Sequence, residues 1–247
     1  MTLASCDSRK TAGENPFFTE WDTPHGVPPF DKILPEHFMP AFERGMSLHE
    51  AEIDAITSNK DEATFENTIL AYDDAGQMLA QTELVFGMLC AAETNDRMQA
   101  LQEQAMPLLA AHRDKIRLDD KLFVRVKEVY DRRAALGLDA EQMRLLQKTY
   151  DSFVRAGALL DAEQKARLKE INGQLSLTAV KFGNNILAEN NNFVLELKSD
   201  ELDGLPAGIR DAAREKAQQM GKGDKWVFTL HKPSLIPLLT YSTDRKS

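Results

Sequence analysis

The stretch Thr64-Phe-Glu-Asn-Thr-Ile-Leu-Ala-Tyr-Asp-Asp-Ala-Gly-Gln-Met-Leu-Ala-Gln-Thr-Glu-Leu-Val-Phe-Gly-Met-Leu89 decides how the rest of the chain is read. Within it Phe65, Ile69, Tyr72, Gly76, Leu79, Phe86 and Leu89 recur at steps of three, four or their sum. Such spacing lays one apolar stripe along a helix and predicts a long amphipathic segment. Thr64 stands where a hydroxyl takes an orphan amide of the first turn, and Glu66 lies where the positive end of the helix dipole favours an anion.

The same period extends in both directions. Asp139-Ala-Glu-Gln142 and Asp161-Ala-Glu-Gln164 each set an Asp three residues ahead of a Gln, which is a capping-box arrangement. The second box launches Leu168, Ile171, Leu175, Ala179, Phe182 and Ile186, another long apolar stripe. Met98 to Ile116 reads as a helix kinked at Pro107, and Lys121 to Leu136 as one closed by Gly137. The class is therefore mainly α, with long antiparallel helices filling a helical domain over residues 15–190.

Ahead of the helices, Pro16, Pro24, Pro28, Pro29 and Pro35 forbid a helix and predict an extended arm. Phe17, Phe18, Trp21 and Phe30 are expected to anchor that arm by burying their rings. After Asn190 the period shortens. Phe193–Leu197 and Trp226–Leu230 read as strands on either side of a helix over Gly208–Met220, with Gly221-Lys-Gly-Asp224 as the turn. Residues 191–247 are thus a small α+β segment. The final piece, Pro233 to Tyr241, begins an apolar helix whose Leu235, Ile236, Leu238, Leu239 and Tyr241 are expected to stand exposed, as though a further domain followed.

Thirty Lys and Arg against 39 Asp and Glu give the 247-residue chain a net charge of −9, which opposes a nucleic-acid backbone or an anionic membrane surface as its main partner. Hydrophobic residues at 43% argue against disorder, and no apolar run reaches the ~20 residues of a membrane-spanning helix. Two cysteines cannot build a disulfide framework, and Cys90 reads as a buried free thiol. Cys6 closes Leu3-Ala4-Ser5-Cys6, which is similar to the lipobox of bacterial lipoproteins, with the polar stretch Asp7 to Glu14 as a tether. Only Met1 and Thr2 precede the box, so a lipid on Cys6, and with it a periplasmic or membrane-anchored location, requires a leader further upstream. As written the chain reads as cytoplasmic, and Cys6 is its sole route to a membrane.

The histidines are His25, His37, His49, His112 and His231. A zinc hydrolase helix needs two histidines one turn apart with a glutamate between them. His49-Glu50-Ala-Glu-Ile53 begins that motif and fails it at Ile53, and no other two histidines are close in sequence. The acidic pairs Asp73-Asp74 and Asp119-Asp120 read as solvated residues on helix surfaces or caps, and no nucleophile elbow, phosphate loop or dinucleotide fingerprint is present. No catalytic, cofactor-binding or metal residue emerges from the residues alone.

Collinear blocks give a further indication. Asn15-Pro16-Phe17, Pro35-Glu-His-Phe-Met-Pro-Ala-Phe42 and Thr64-Phe-Glu-Asn-Thr-Ile69 resemble the opening of zinc metallopeptidases related to thimet oligopeptidase. Met106-Pro-Leu-Leu-Ala-Ala-His-Arg-Asp114, Phe153-Val-Arg-Ala-Gly-Ala158, Phe182-Gly-Asn-Asn185 and Phe228-Thr-Leu-His-Lys-Pro-Ser234 narrow the resemblance to the bacterial peptidyl-dipeptidase (Dcp) and oligopeptidase A branch. That resemblance implies a helical enzyme whose halves wall a deep channel, with zinc held by an HExxH helix, activating water against peptide bonds and releasing C-terminal dipeptides. It places none of those ligands in this chain, so the expected role is the N-terminal channel wall, acting on peptides together with a C-terminal catalytic half. The alternative is a self-standing helical module that binds peptides or a protein without chemistry.

Overall fold

A computed structural model describes residues 15–244. Cys6 lies outside the described residues. The chain is mainly helical and divides into two compact units, one ending at Val180 and the other beginning at Lys181.

In the first unit the helices are α1 (Phe38–Ser58), α2 (Ala71–Asp73), α3 (Gln77–Ala92), α4 (Asp96–Arg117), α5 (Asp120–Asp131), α6 (Ala140–Arg155) and the start of α7 (Ala162–Asn192). Their starts are those the sequence encodes. Thr64 Oγ1 accepts from the Asn67 amide and the Thr64 amide donates to Asn67 Oδ1 in return, while Asp139 with Gln142 and Asp161 with Gln164 form the two expected reciprocal boxes. Asn95 and Asp119 cap α4 and α5 by accepting the amides of Met98 and Leu122.

Three of the helix expectations change. The stripe from Phe65 to Leu89 is not one helix, because Phe65–Leu70 forms a π-helix that runs into α2 and ends before Gly76, whose φ of +76° caps α3 from the left-handed region. The break divides the stripe between two cores. Phe65 and Ile69 pack with Ile53, Ile116, Leu122, Val126, Leu146 and Phe153, whereas Leu79 and Phe86 pack with Phe38, Phe42, Met98 and Leu109. The helix expected to reach Leu136 stops at Asp131; a 3-10 turn at Arg133–Ala135 carries the chain to Gly137. Finally, α7 keeps its helical period while leaving most of its stripe in solvent, with Leu175 62% and Phe182 65% exposed. Pro107 sits inside a helix that runs unbroken past it.

The arm is pinned by aromatic packing. The Phe17 ring meets Phe38 at 5.4 Å, and Phe38 in turn meets Phe86 edge-on at 4.9 Å, contacts worth about 0.5 to 1.5 kcal/mol each beyond their buried area. Trp21 donates its indole N–H to Pro16 O, and the Arg44 guanidinium covers Phe18. Phe30 does not anchor; it is exposed. Cys90 is half-buried at the edge of this core, and burial pushes its thiol pKa up. On the other side, buried Arg125 donates to Asn59 O, Asp61 O and Asn67 Oδ1, tying the loop after α1 to the cap of the π-helix.

In the second unit β1 (Leu195–Leu197) and β2 (Trp226–Phe228) pair antiparallel in the register Leu195 with Phe228 and Leu197 with Trp226. Both strands are shorter than the sequence reading. Between them α8 (Ala207–Gln219) packs Ala213 toward Leu197, Leu202, Leu205 and Phe228. The last helix, α9 (Lys232–Tyr241), forms as expected, but Leu238 is buried in that core, so only Ile236, Leu239 and Tyr241 of the expected set stand exposed. Gly204 is required here: its φ is +82°, and a Cβ would lie 2.1 Å from Tyr241 O.

Candidate functional site

The apolar rows of α1 and α4 are each interrupted by one histidine. Along α1 the inward positions run Ala41, Phe42, Gly45, then His49, then Ile53 and Ile56; along α4 they run Ala105, Leu109, then His112, then Ile116. Gly76 breaks the third row between Tyr72 and Leu79. These three interruptions meet at the seam between the two cores of the first unit.

His49 Nδ1 and His112 Nε2 are 3.0 Å apart, so one ring donates to the other. The His49 ring lies against Gly76 so closely that a Cβ there would sit 2.9 Å from Nδ1. Glu52, one turn further along α1, accepts the Gly76 amide at 2.7 Å and fixes the break. On the far side His112 Nδ1 is buried, with the Glu50 carboxylate 3.5 Å away and beyond ordinary hydrogen-bonding reach. Glu50 is also held by Lys115 at 2.8 Å, whose hydrogen bond keeps its pKa below the usual carboxylate value.

The proton positions follow from those neighbours. A carboxylate facing Nδ1 of His112 favours the proton there, which leaves Nε2 to accept from His49 Nδ1–H. His49 Nε2 is then the unprotonated end of a Glu50–His112–His49 chain. Burial lowers both imidazole pKa values; the adjacent His112 lowers that of His49 further, while Glu50 counteracts the fall at His112. Both rings border a cavity of about 200 Å³ with Tyr72, Glu83, Arg113 and Arg117. Arg113 is tied to Glu83 at 2.6 Å, and burial raises the Tyr72 pKa although the Arg117 guanidinium opposes that shift.

This arrangement supplies a base and a confined polar cavity. It does not supply a metal centre, since among the described residues no three His, Cys, Asp or Glu side chains are grouped to share an ion. The residues present therefore do not fit zinc. His49 and Glu50, which open the incomplete zinc motif, are brought to His112, 63 residues away, and Ile53 points into the core. Sequence reasoning missed this pairing. Its signal was available, because each histidine occupies an inward position of an otherwise apolar row.

The remaining histidines serve locally. His37 Nδ1 accepts the Leu34 amide, His231 Nδ1 lies 3.2 Å from Thr229 Oγ1, and His25 adopts a φ of +59° in the arm. Asp119 caps α5, and Asp120 pairs with Lys165 of α7. Among the described residues no helix is long and apolar enough to cross a membrane.

A scan against protein-family models finds no match for the chain. Among curated proteins it is 37% identical over 232 residues to the dipeptidyl carboxypeptidase of Escherichia coli (strain K12), covering 94% of this chain and 34% of that protein. The dipeptidyl carboxypeptidase of Salmonella typhimurium (strain LT2) is 35% identical over 234 residues, with 94% and 34% covered. Oligopeptidase A of Escherichia coli (strain K12) is 24% identical over 220 residues, with 89% and 32% covered. The chain spans about a third of the length of the curated relatives it matches.

Proposed function

We propose that this chain, homologous to the N-terminal part of dipeptidyl carboxypeptidase and oligopeptidase A, forms the channel wall of a zinc metallopeptidase that trims short peptides from their C-termini. The observation that carries the reading is the 37% identity sustained over 94% of the chain. A match that long takes in both units, beyond any single capping or helix pattern.

In this reading the chain selects and orients, and the chemistry belongs to a catalytic portion equivalent to the two-thirds of those relatives outside the match. Zinc, held in that portion, would polarise the peptide carbonyl and activate water. The wall residues of this chain would limit substrates to short, unfolded peptides by excluding folded ones from the channel. Dipeptide release is the finer part of the proposal, supported by the higher identity to the dipeptidyl carboxypeptidases than to oligopeptidase A.

The coding sequence after Ser247 tests the reading. An in-frame HExxH further on, followed by another glutamate on a later helix, is the expected finding. A stop codon at that point, in a gene whose product is made and stable as 247 residues, would favour the non-catalytic binding module.

A further inference from the structure

We propose that a cationic groove along α6 binds acidic peptide segments in extended conformation. Arg144, Lys148, Asp151 and Arg155 follow one another at steps of four, three and four, which at 100° per residue keeps them within about 60° of one another on one helix face. Arg117, at the end of α4, joins them across a groove of about 480 Å³. Four cations against the single carboxylate of Asp151 make the lining net positive by three, in a chain whose own net charge is −9.

Three of the four cations are not spent on ion pairs. Among the described residues Arg144, Lys148 and Arg155 form no ion pair, whereas Arg97, Arg113, Lys115, Lys127, Arg132, Lys165, Arg167 and Lys222 all do. Arg117 faces the Tyr72 hydroxyl, and the Asp151 carboxylate accepts from Gln147 at 2.9 Å. Helix C-termini attract cations, which accounts for Arg117 and Arg155 at the ends of their helices. It does not account for Arg144 and Lys148, which lie in the second and third turns of α6.

Length selects the ligand. Eleven residues of helix place Arg144 and Arg155 about 16 Å apart along the axis, and Arg144 and Lys148 about 6 Å apart. An extended peptide presents same-side residues every ~6.6 Å, so alternate acidic side chains match the first spacing and about five residues span the whole row. A compact polyphosphate is too short to reach both ends. Binding stands on the groove itself; its use in choosing acidic oligopeptides as substrates rests on the peptidase reading above.

The probe is a capped, fluorescein-labelled pentaglutamate, followed by anisotropy with the intact chain at low salt. Saturable binding is expected, weakening steeply as salt rises. Reversing the row with Arg144→Glu and Lys148→Glu should weaken it at least tenfold, and the neutral Arg144→Gln with Lys148→Gln should fall between. The control Arg97→Glu with Arg167→Glu changes net charge equally, away from the groove, and should leave affinity within twofold. Unlabelled tripolyphosphate should compete poorly. No binding, equal losses in groove and control variants, or tripolyphosphate displacing the peptide at lower concentration than unlabelled pentaglutamate would each overturn the proposal. Hydrolysis plays no part in this readout, so a failure of the peptidase reading would leave its result standing.

Discussion

Gly76 and His49 touch across two helices: the left-handed glycine that opens α3 presents its bare Cα to the imidazole, and a single added carbon would stand 2.9 Å from Nδ1. Gly76→Ala therefore combines a disfavoured backbone conformation with a collision. The conformational part alone costs roughly 1 to 2 kcal/mol. Urea denaturation should show at least that loss. A variant as stable as the parent would mean the break between α2 and α3 is not held as described.

The histidine pair gives stability a defined pH dependence. In the unfolded chain both imidazoles take a proton near the ordinary pKa of 6.5, while burial holds the folded rings below it. The unfolded state thus binds more protons in that window, and stability, full above 6.5, falls as pH drops from 6.5 toward the folded values. Denaturant midpoints at pH 7.5 and 5.5 should separate more in the parent than in His112→Leu. Equal separations would show that the pair does not titrate this way.

Arg125 clamps the loop between α1 and the π-helix through Asn59 O, Asp61 O and Asn67 Oδ1. Removing it leaves three acceptors to be solvated or rearranged. Hydrogen bonds from a charged donor are worth roughly 1.5 to 3 kcal/mol, so Arg125→Ala should lower stability by at least one such increment. Faster hydrogen exchange at the amides of Asn67 and Thr68 should accompany it. A loss spread evenly over the unit would contradict the local clamp.

Ile236 and Leu239, 54% and 65% exposed on α9, form an apolar surface on the second unit. The chain is expected to self-associate at micromolar concentration through such surface. Replacing both by Ser should reduce association seen in sedimentation without loss of helix. Deleting residues 233–247 should instead destabilise the second unit, because Leu238 is part of its core.

Much of the fold was legible because caps and periods are local. Thr64, Asp139 and Asp161 start their helices where their side chains reach the orphan amides, and the change of period after Asn190 marks the two strands. The break at Gly76 was not legible in the same way. Its spacing continues the stripe through Tyr72 and Leu79, and only the packing of two separate cores shows that the two halves face different neighbours. The stripe of α7 marked a helix correctly but overstated its burial, since periodicity fixes a shared face without saying what covers it. The histidine pair fell between these cases: each residue is an anomaly in its own row, but their meeting depends on how α1 lies against α4.

The proposed role of this chain is that of a peptidase wall. The direct measurement is a chimera in which it replaces the homologous N-terminal third of the Escherichia coli dipeptidyl carboxypeptidase. Zinc content and release of C-terminal dipeptides from a blocked tetrapeptide are then followed. One zinc per chimera is expected, with dipeptide release that is lost when this chain is omitted. A folded, zinc-loaded chimera that releases no dipeptide would contradict it.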